Sequence, residues 1–103
     1  MKTLEDIRKR SAQFAEARGY GPLQTPKNLA MALNVEAAEL LEHFQWLSPE
    51  QSAALDSQTR NAVGEELADI MLYLVRLADV LEIDMLAAVA DKADKNELKY
   101  PLP

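Results

Sequence analysis

The chain has 103 residues, is 49% hydrophobic, and carries 17 acidic against 11 basic side chains for a net charge of −6. That length suits one domain with a single modest core, and the acidic balance argues against a nucleic-acid polymer or an anionic membrane as the main partner. With no cysteine there is neither a disulfide framework nor a thiolate metal site; nothing resembles a signal peptide, and the longest apolar run, residues 70–75, is far too short to cross a bilayer, so a cytoplasmic location is expected.

Thr3 is placed to cap a first helix, with Glu5 and Asp6 in its first turn and Gly19 as its stop. Leu4, Ile7, Phe14 and several alanines supply its expected buried side. The segment GYGPLQTPK, residues 19–27, reads as a loop closed by Thr25 as cap and Pro26 at the first helical position, where a missing N–H costs nothing. A second helix then runs to about Leu47, because Leu29, Leu33, Ala37, Leu40, Phe44 and Leu47 recur at spacings of three and four. Ser48-Pro49-Glu50 starts a short helical turn, and Asp56 or Ser57 caps a third long helix to about Leu81, striped by Val63, Leu67, Ile70, Leu74, Leu77 and Leu81. Asp84 caps a fourth, ending near Lys99, because the residue before Pro101 avoids helical backbone. No stretch alternates with period two, so the expectation is an all-α fold of four long helices, one domain over residues 1–103.

The third long helix is apolar on its far side too, through Met71, Leu72, Val75 and Val80. A helix hydrophobic all round needs cover on all sides, which a chain of this size cannot provide alone. A homo-oligomer with this helix at the interface is expected; the alternative is that the first and fourth helices cover it within the monomer.

Two acidic pairs interrupt the apolar pattern, one in VEAAELLEHF and one in VGEELADIMLYL. At about 100° per residue, Glu36, Glu39 and His43 lie about 60° to 120° to one side of the second helix's stripe, and Glu66, Asp69 and Tyr73 occupy the same band on the third. The offset between the sets is 30 residues throughout. Glu42 and Glu65 fall outside the band and read as solvated charges. Helices joined by a short connection tend to be antiparallel neighbours, so Glu36 and Glu39 are expected to face Glu66 and Asp69 across a groove. Four carboxylates held together repel unless a cation joins them, and an all-oxygen set suits Mg²⁺ or Mn²⁺ better than zinc. A lone Glu-x-x-Glu is usually just a solvated face. Here the doubling, the shared angle and the scarcity of nearby bases favour a site. Di-iron carboxylate bundles use Glu-x-x-His from two helices; His43 stands four residues after Glu39 and the third helix has no histidine, so His43 reads as a polar residue of the groove.

At these positions the sequence resembles the all-α nucleoside triphosphate pyrophosphohydrolases of the MazG-like group, particularly the dCTP pyrophosphatase branch. The pattern Glu-x-x-Glu, spacer, Glu-x-x-Asp is matched by Glu36, Glu39, Glu66 and Asp69, with PKNLAMAL, FQWL, EELADIMLYLVRLAD and DKADKNELKYP around them in order. The resemblance implies hydrolysis between the α and β phosphorus atoms of a nucleoside triphosphate, giving monophosphate and pyrophosphate, with the four acids binding Mg²⁺ and Glu39 orienting the water. It implies phosphate contact by Lys92 and Asn96, with Lys95 left to the helix dipole, base stacking on Trp46, contact with sugar or phosphate by Tyr73, and base contact by Tyr20. It also implies a dimer or a tetramer built from two dimers. At Ser11 and Gln24 the animal dCTP enzymes tend to have histidines, which puts the cytosine preference in question and leaves the reaction type standing. The expected role is removal of dCTP or of modified or non-standard deoxynucleotides. Two competing readings are a non-catalytic helical interaction module and a phosphoribosyl-ATP pyrophosphohydrolase; the latter shares the acidic helices but ranks low because the FQWL and KYP blocks follow the dCTP branch.

Overall fold

The computed structural model describes residues 1–103 and contains helices only. Helix α1 spans Leu4–Ala17, followed by a 3-10 turn at Gly21–Leu23; α2 is Pro26–Glu42, α3 the single turn Pro49–Ser52, α4 Ser57–Val80 and α5 Met85–Lys99. The third and fourth long helices of the sequence are thus α4 and α5. Each start is fixed by a side chain that accepts a hydrogen bond from an otherwise orphaned N–H: Thr3 from Asp6, Thr25 from Asn28, Ser48 from Gln51, Asp56 from Thr59 and Asp84 from Ala87. Thr3 and Ser48 complete reciprocal capping boxes with Asp6 and Gln51.

The stops are as local as the starts. Gly19, with φ of 66°, reverses the chain after α1, and the N–H of Tyr20 donates to the Ala15 carbonyl at 2.9 Å. The same device ends α4, where Ile83 N–H donates to the Ala78 carbonyl at 2.8 Å, but its left-handed residue is Glu82 with φ of 55°.

The second helix stops five residues earlier than its hydrophobic spacing predicts. His43 is its C-cap, and residues 43–47 tighten into turns, with Phe44 and Leu47 donating to carbonyls three residues back. The cause is Ser48-Pro49. Proline excludes helical backbone at Ser48, which takes φ of −71° and ψ of 163° as the cap of α3, so the preceding carbonyls must be satisfied by a closing turn.

Helix α4 is the spine: α2 packs along one side and α1 along another. Ala15, Leu29, Val75 and Ala78 are the buried residues, and the small alanines let α1 approach α4 closely. Arg8 of α1 adds an ion pair to Asp79 of α4 at 3.3 Å. Several expected core residues lie at the surface instead: Phe14 is half exposed, with the Arg18 guanidinium 3.7 Å above its ring, Leu67 and Leu81 are also about half exposed, and Ala37 and Leu47 are exposed as well. Helix α5 buries no residue at all. The radius of gyration, 16.5 Å, exceeds the roughly 13 Å of a compact chain this long, and Met31, Val35, Leu41, Leu86, Val89 and Leu98 remain open to solvent. No helix is long and apolar enough to cross a membrane.

Candidate metal centre and adjoining cavity

The packing of α2 on α4 turns the expected acid band into a cluster. Carboxylate oxygens of Glu36, Glu39 and Glu66 lie within 4.8 Å of one another. Glu36 and Glu39, three residues apart, project from one side of α2, and Glu66 meets them from α4. Glu36 Oε2 and Glu66 Oε2 are shut off from solvent and accept no hydrogen bond. A buried carboxylate oxygen without a donor is costly, and two of them in one seam indicate a place shaped for a cation. The donor set is all oxygen, which fits a hard divalent ion.

Electrostatics agree with the geometry. Burial pushes the Glu36 carboxyl up to about 7; hydrogen bonding of its protonated form to Glu39 and repulsion from the charges of Glu39 and Asp69 push in the same direction. Glu66 is raised too, first by burial and then by the charge of Glu39. The nearest base is His43, whose Nε2 lies 3.9 Å from Glu66 Oε1, beyond hydrogen-bond range. It lines the groove, as expected, and compensates little.

Asp69 is close enough to repel Glu36, yet it stands outside the tight group of three and is exposed. One turn along α4 from Glu66, it forms part of the wall of a cavity of about 530 Å³, well within the range of about 300–1,000 Å³ seen for small-molecule sites. Phe14, Tyr20, Leu72 and Tyr73 supply flat and apolar walls; Arg10, Ser11, Gln24 and Arg76 supply polar edges. Phe14 and Tyr20 meet edge to face at 6.2 Å between centroids. The structure therefore places Tyr20 and Tyr73 together with Asp69, adjoining the acid cluster.

The remaining predicted residues are not gathered here. Trp46 falls in the turn after α2 and is 87% exposed, so it does not continue the helical face of Glu39. Lys92 and Asn96 lie on α5, exposed, and take no part in this cavity. Lys95 pairs with Asp91 at 2.8 Å on the same helix. Arg10 and Arg76 escaped the sequence reading as site residues. For Arg76 a signal existed, since Asp69, Tyr73 and Arg76 follow one another at spacings of four and three on α4 and so share its face. Arg10 and Gln24 come from α1 and the following turn, and only the fold brings them to that face.

A model of the MazG-like family matches residues 31–103. Among curated proteins, the dCTP pyrophosphatase 1 of cattle is 43% identical over 102 residues, and that of rat 42%; in both cases 97% of this chain aligns with 60% of the relative. The human protein of the same name is 41% identical, with 96% of this chain aligned to 59% of its length. The chain thus spans about 60% of the length of these mammalian relatives. Among solved structures, a pyrophosphatase from Archaeoglobus fulgidus superposes with a TM-score of 0.90 at 41% identity, covering 95% of this chain and 92% of that one.

Proposed function

Because the chain belongs to the MazG-like family, we propose that it is a nucleoside triphosphate pyrophosphohydrolase that uses Mg²⁺, or Mn²⁺ in its place, to split a deoxynucleoside triphosphate into monophosphate and pyrophosphate. Its substrates are dCTP or modified and non-standard deoxynucleotides, and its role is to clear them. The observation that carries this reading is the pair of solvent-excluded, unpartnered oxygens on Glu36 and Glu66 beside a cavity of nucleoside size.

Glu36, Glu39, Glu66 and Asp69 would hold the metal, which when bound neutralises the triphosphate, polarises its phosphoryl oxygens and lowers the pKa of water. The protein's own groups do the positioning. Glu39 lies in the cluster without the orphaned oxygen of its two neighbours, which suits it to accept a hydrogen bond from the attacking water and orient it in line with the leaving pyrophosphate. Asp69 belongs to both the acid groove and the cavity wall, so it sets the register between reacting phosphate and bound base. Tyr73 offers its hydroxyl toward sugar or phosphate, while Phe14 and Tyr20 give the base a face to lie on.

An acidic chain needs cations for the polyphosphate tail, and Lys92 and Asn96 sit one turn apart on α5. That helix buries no residue in the monomer, so we assign it to a homo-oligomer, a dimer or a tetramer of paired dimers, in which a neighbouring chain supports α5 and brings Lys92, Asn96 and the exposed Trp46 to a shared site.

The test is a panel of nucleoside triphosphates incubated with the protein and Mg²⁺, with products identified by chromatography. Monophosphate and pyrophosphate are expected. Diphosphate and phosphate would put the cleavage at the wrong bond, and no product from any triphosphate would leave the interaction-module reading in its place.

A further inference from the structure

Phe14 is half exposed, yet its ring is not loose. The Arg18 guanidinium lies 3.7 Å above the ring centroid, and Arg18 Nη1 donates to the Phe14 carbonyl at 3.3 Å. The spacing of four residues produces this contact, because side chains on a helix tilt toward its N-terminus and cover the turn before their own Cα. Arg18 is the C-cap of α1 and pairs with no carboxylate, so its guanidinium is directed at the ring and that carbonyl alone. Phe14 lines the cavity and Arg18 does not. The cation therefore covers the ring from outside and leaves the other face and the rim to the cavity.

Tyr20, the second flat wall, is held by different means. Gly19 turns left-handed before it, and the Tyr20 N–H reaches back to the Ala15 carbonyl at 2.9 Å. The 3-10 turn that follows is tied to α4, because Gln24 at its end accepts from Arg76 Nε at 2.7 Å through Oε1. Backbone thus fixes Tyr20. A helix backbone does not fix the ring of Phe14, which still rotates about two side-chain bonds, and Tyr20 meets it only edge-on at 6.2 Å. The restraint comes from the guanidinium, drawn to the negative face of the ring. A wall already in place binds better than one that must be ordered as the ligand arrives.

We propose that Arg18 is a positioning residue of the nucleotide site: stacked on the outer face of Phe14, it holds the ring at its angle to Tyr20, so that the two present a preformed corner to a planar base. This rests on the nucleotide reading above and adds a residue that does not touch the ligand. Every planar base gains from an ordered wall, so Arg18 sets affinity for nucleotides as a class and not preference among bases.

The experiment is an NMR titration of the full chain with dCMP, on the wild type, Arg18→Met, Phe14→Leu and the double variant. Arg18→Met keeps a long side chain and removes the cation; it should weaken dCMP about three- to tenfold, the scale of ordering one side chain on binding. In the Phe14→Leu background no ring remains to be held, and the same change should have no further effect. An Arg18 that served only the dipole of α1 would lower the melting temperature and leave binding alone. One that drew the phosphate by its charge would weaken binding equally in both backgrounds. Either result overturns the assignment. Should Arg18→Met fail to fold, Arg18→Lys carries the same cycle: its ammonium cannot lie flat on the ring, and a smaller loss with the same dependence on Phe14 is expected. Wild-type protein that bound no dCMP would remove the nucleotide site and the role of Arg18 with it, whereas an uncoupled loss with wild-type binding intact removes the role of Arg18 alone.

Discussion

Helices α2 and α4 bury Leu29 and Val75 and draw three carboxylates into the seam between them, whereas α5, which carries Leu86, Val89 and Leu98 on 15 residues, buries nothing. The acids can sit unpaired because well-packed apolar residues on either side hold the seam shut. The cations of α5 enjoy no such support, and an isolated helix of about 12–15 residues is marginal in water. On the proposed reading, one chain completes its acidic wall and leaves its basic wall to a second copy, which makes the two regions separable by experiment.

Removing acids from the seam should produce the largest effect. Glu39→Gln and Asp69→Asn are each expected to cut turnover by about two to three orders of magnitude or more, the scale on which preorganised electrostatic contacts act. Both variants should fold as well as the wild type, or better without metal, because a neutral amide relieves the repulsion among Glu36, Glu39 and Glu66. Steady-state kinetics and thermal melts check this together. Full activity in both variants would place the chemistry elsewhere.

Altering α5 attacks the other side of the comparison. Leu86→Glu combined with Val89→Glu changes two exposed residues on a helix that carries none of the seam's acids. If α5 is covered by a second chain, sedimentation should show a lower mass and activity should fall about tenfold or more at equal subunit concentration, since each buried Leu or Val contributes roughly 1.5–3 kcal/mol. Unchanged mass and activity would mean that the helix works uncovered and that the division between the two walls is false.

The same contrast explains what could be read from the chain. Helix starts were legible because each depends on one cap: Thr3, Thr25, Ser48, Asp56 and Asp84 all act where the sequence puts them. The convergence of Glu36, Glu39 and Glu66 was legible because three- and four-residue spacing fixes angle on a helix, and two equal angles on neighbouring helices meet. The end of α2 was not, because hydrophobic spacing continues through Phe44 and Leu47 while the backbone obeys Pro49. Trp46 was misplaced by the same error, since its expected direction assumed a helix that had already ended. The Gln24–Arg76 contact joins residues 52 apart, and no local pattern predicts a hydrogen bond across that distance. Phe14 looked like core because apolar residues usually pack; here it walls a cavity.

The smallest expected effect is on the metal-free protein and reports the seam directly. Glu36 titrates near 7 in the folded chain against an ordinary 4.5, and Glu66 is raised as well. Between those values the folded state binds more protons than the unfolded one, so the slope of stability with pH is negative. The contribution is fully present below 4.5 and is lost as pH rises through about 7. Without divalent metal, melting temperature should therefore decline from pH 5 to pH 8, and Glu36→Gln should flatten that decline. Added Mg²⁺ should raise the melting temperature more at pH 8 than at pH 5, because protons compete for the same oxygens. The direction separates this seam from a surface cluster: exposed acids keep ordinary pKa values and leave the curve flat across the window. A Mg²⁺ increment equal at both pH values, or a decline unaltered by Glu36→Gln, would mean that the orphaned oxygens of Glu36 and Glu66 are not where the cation binds.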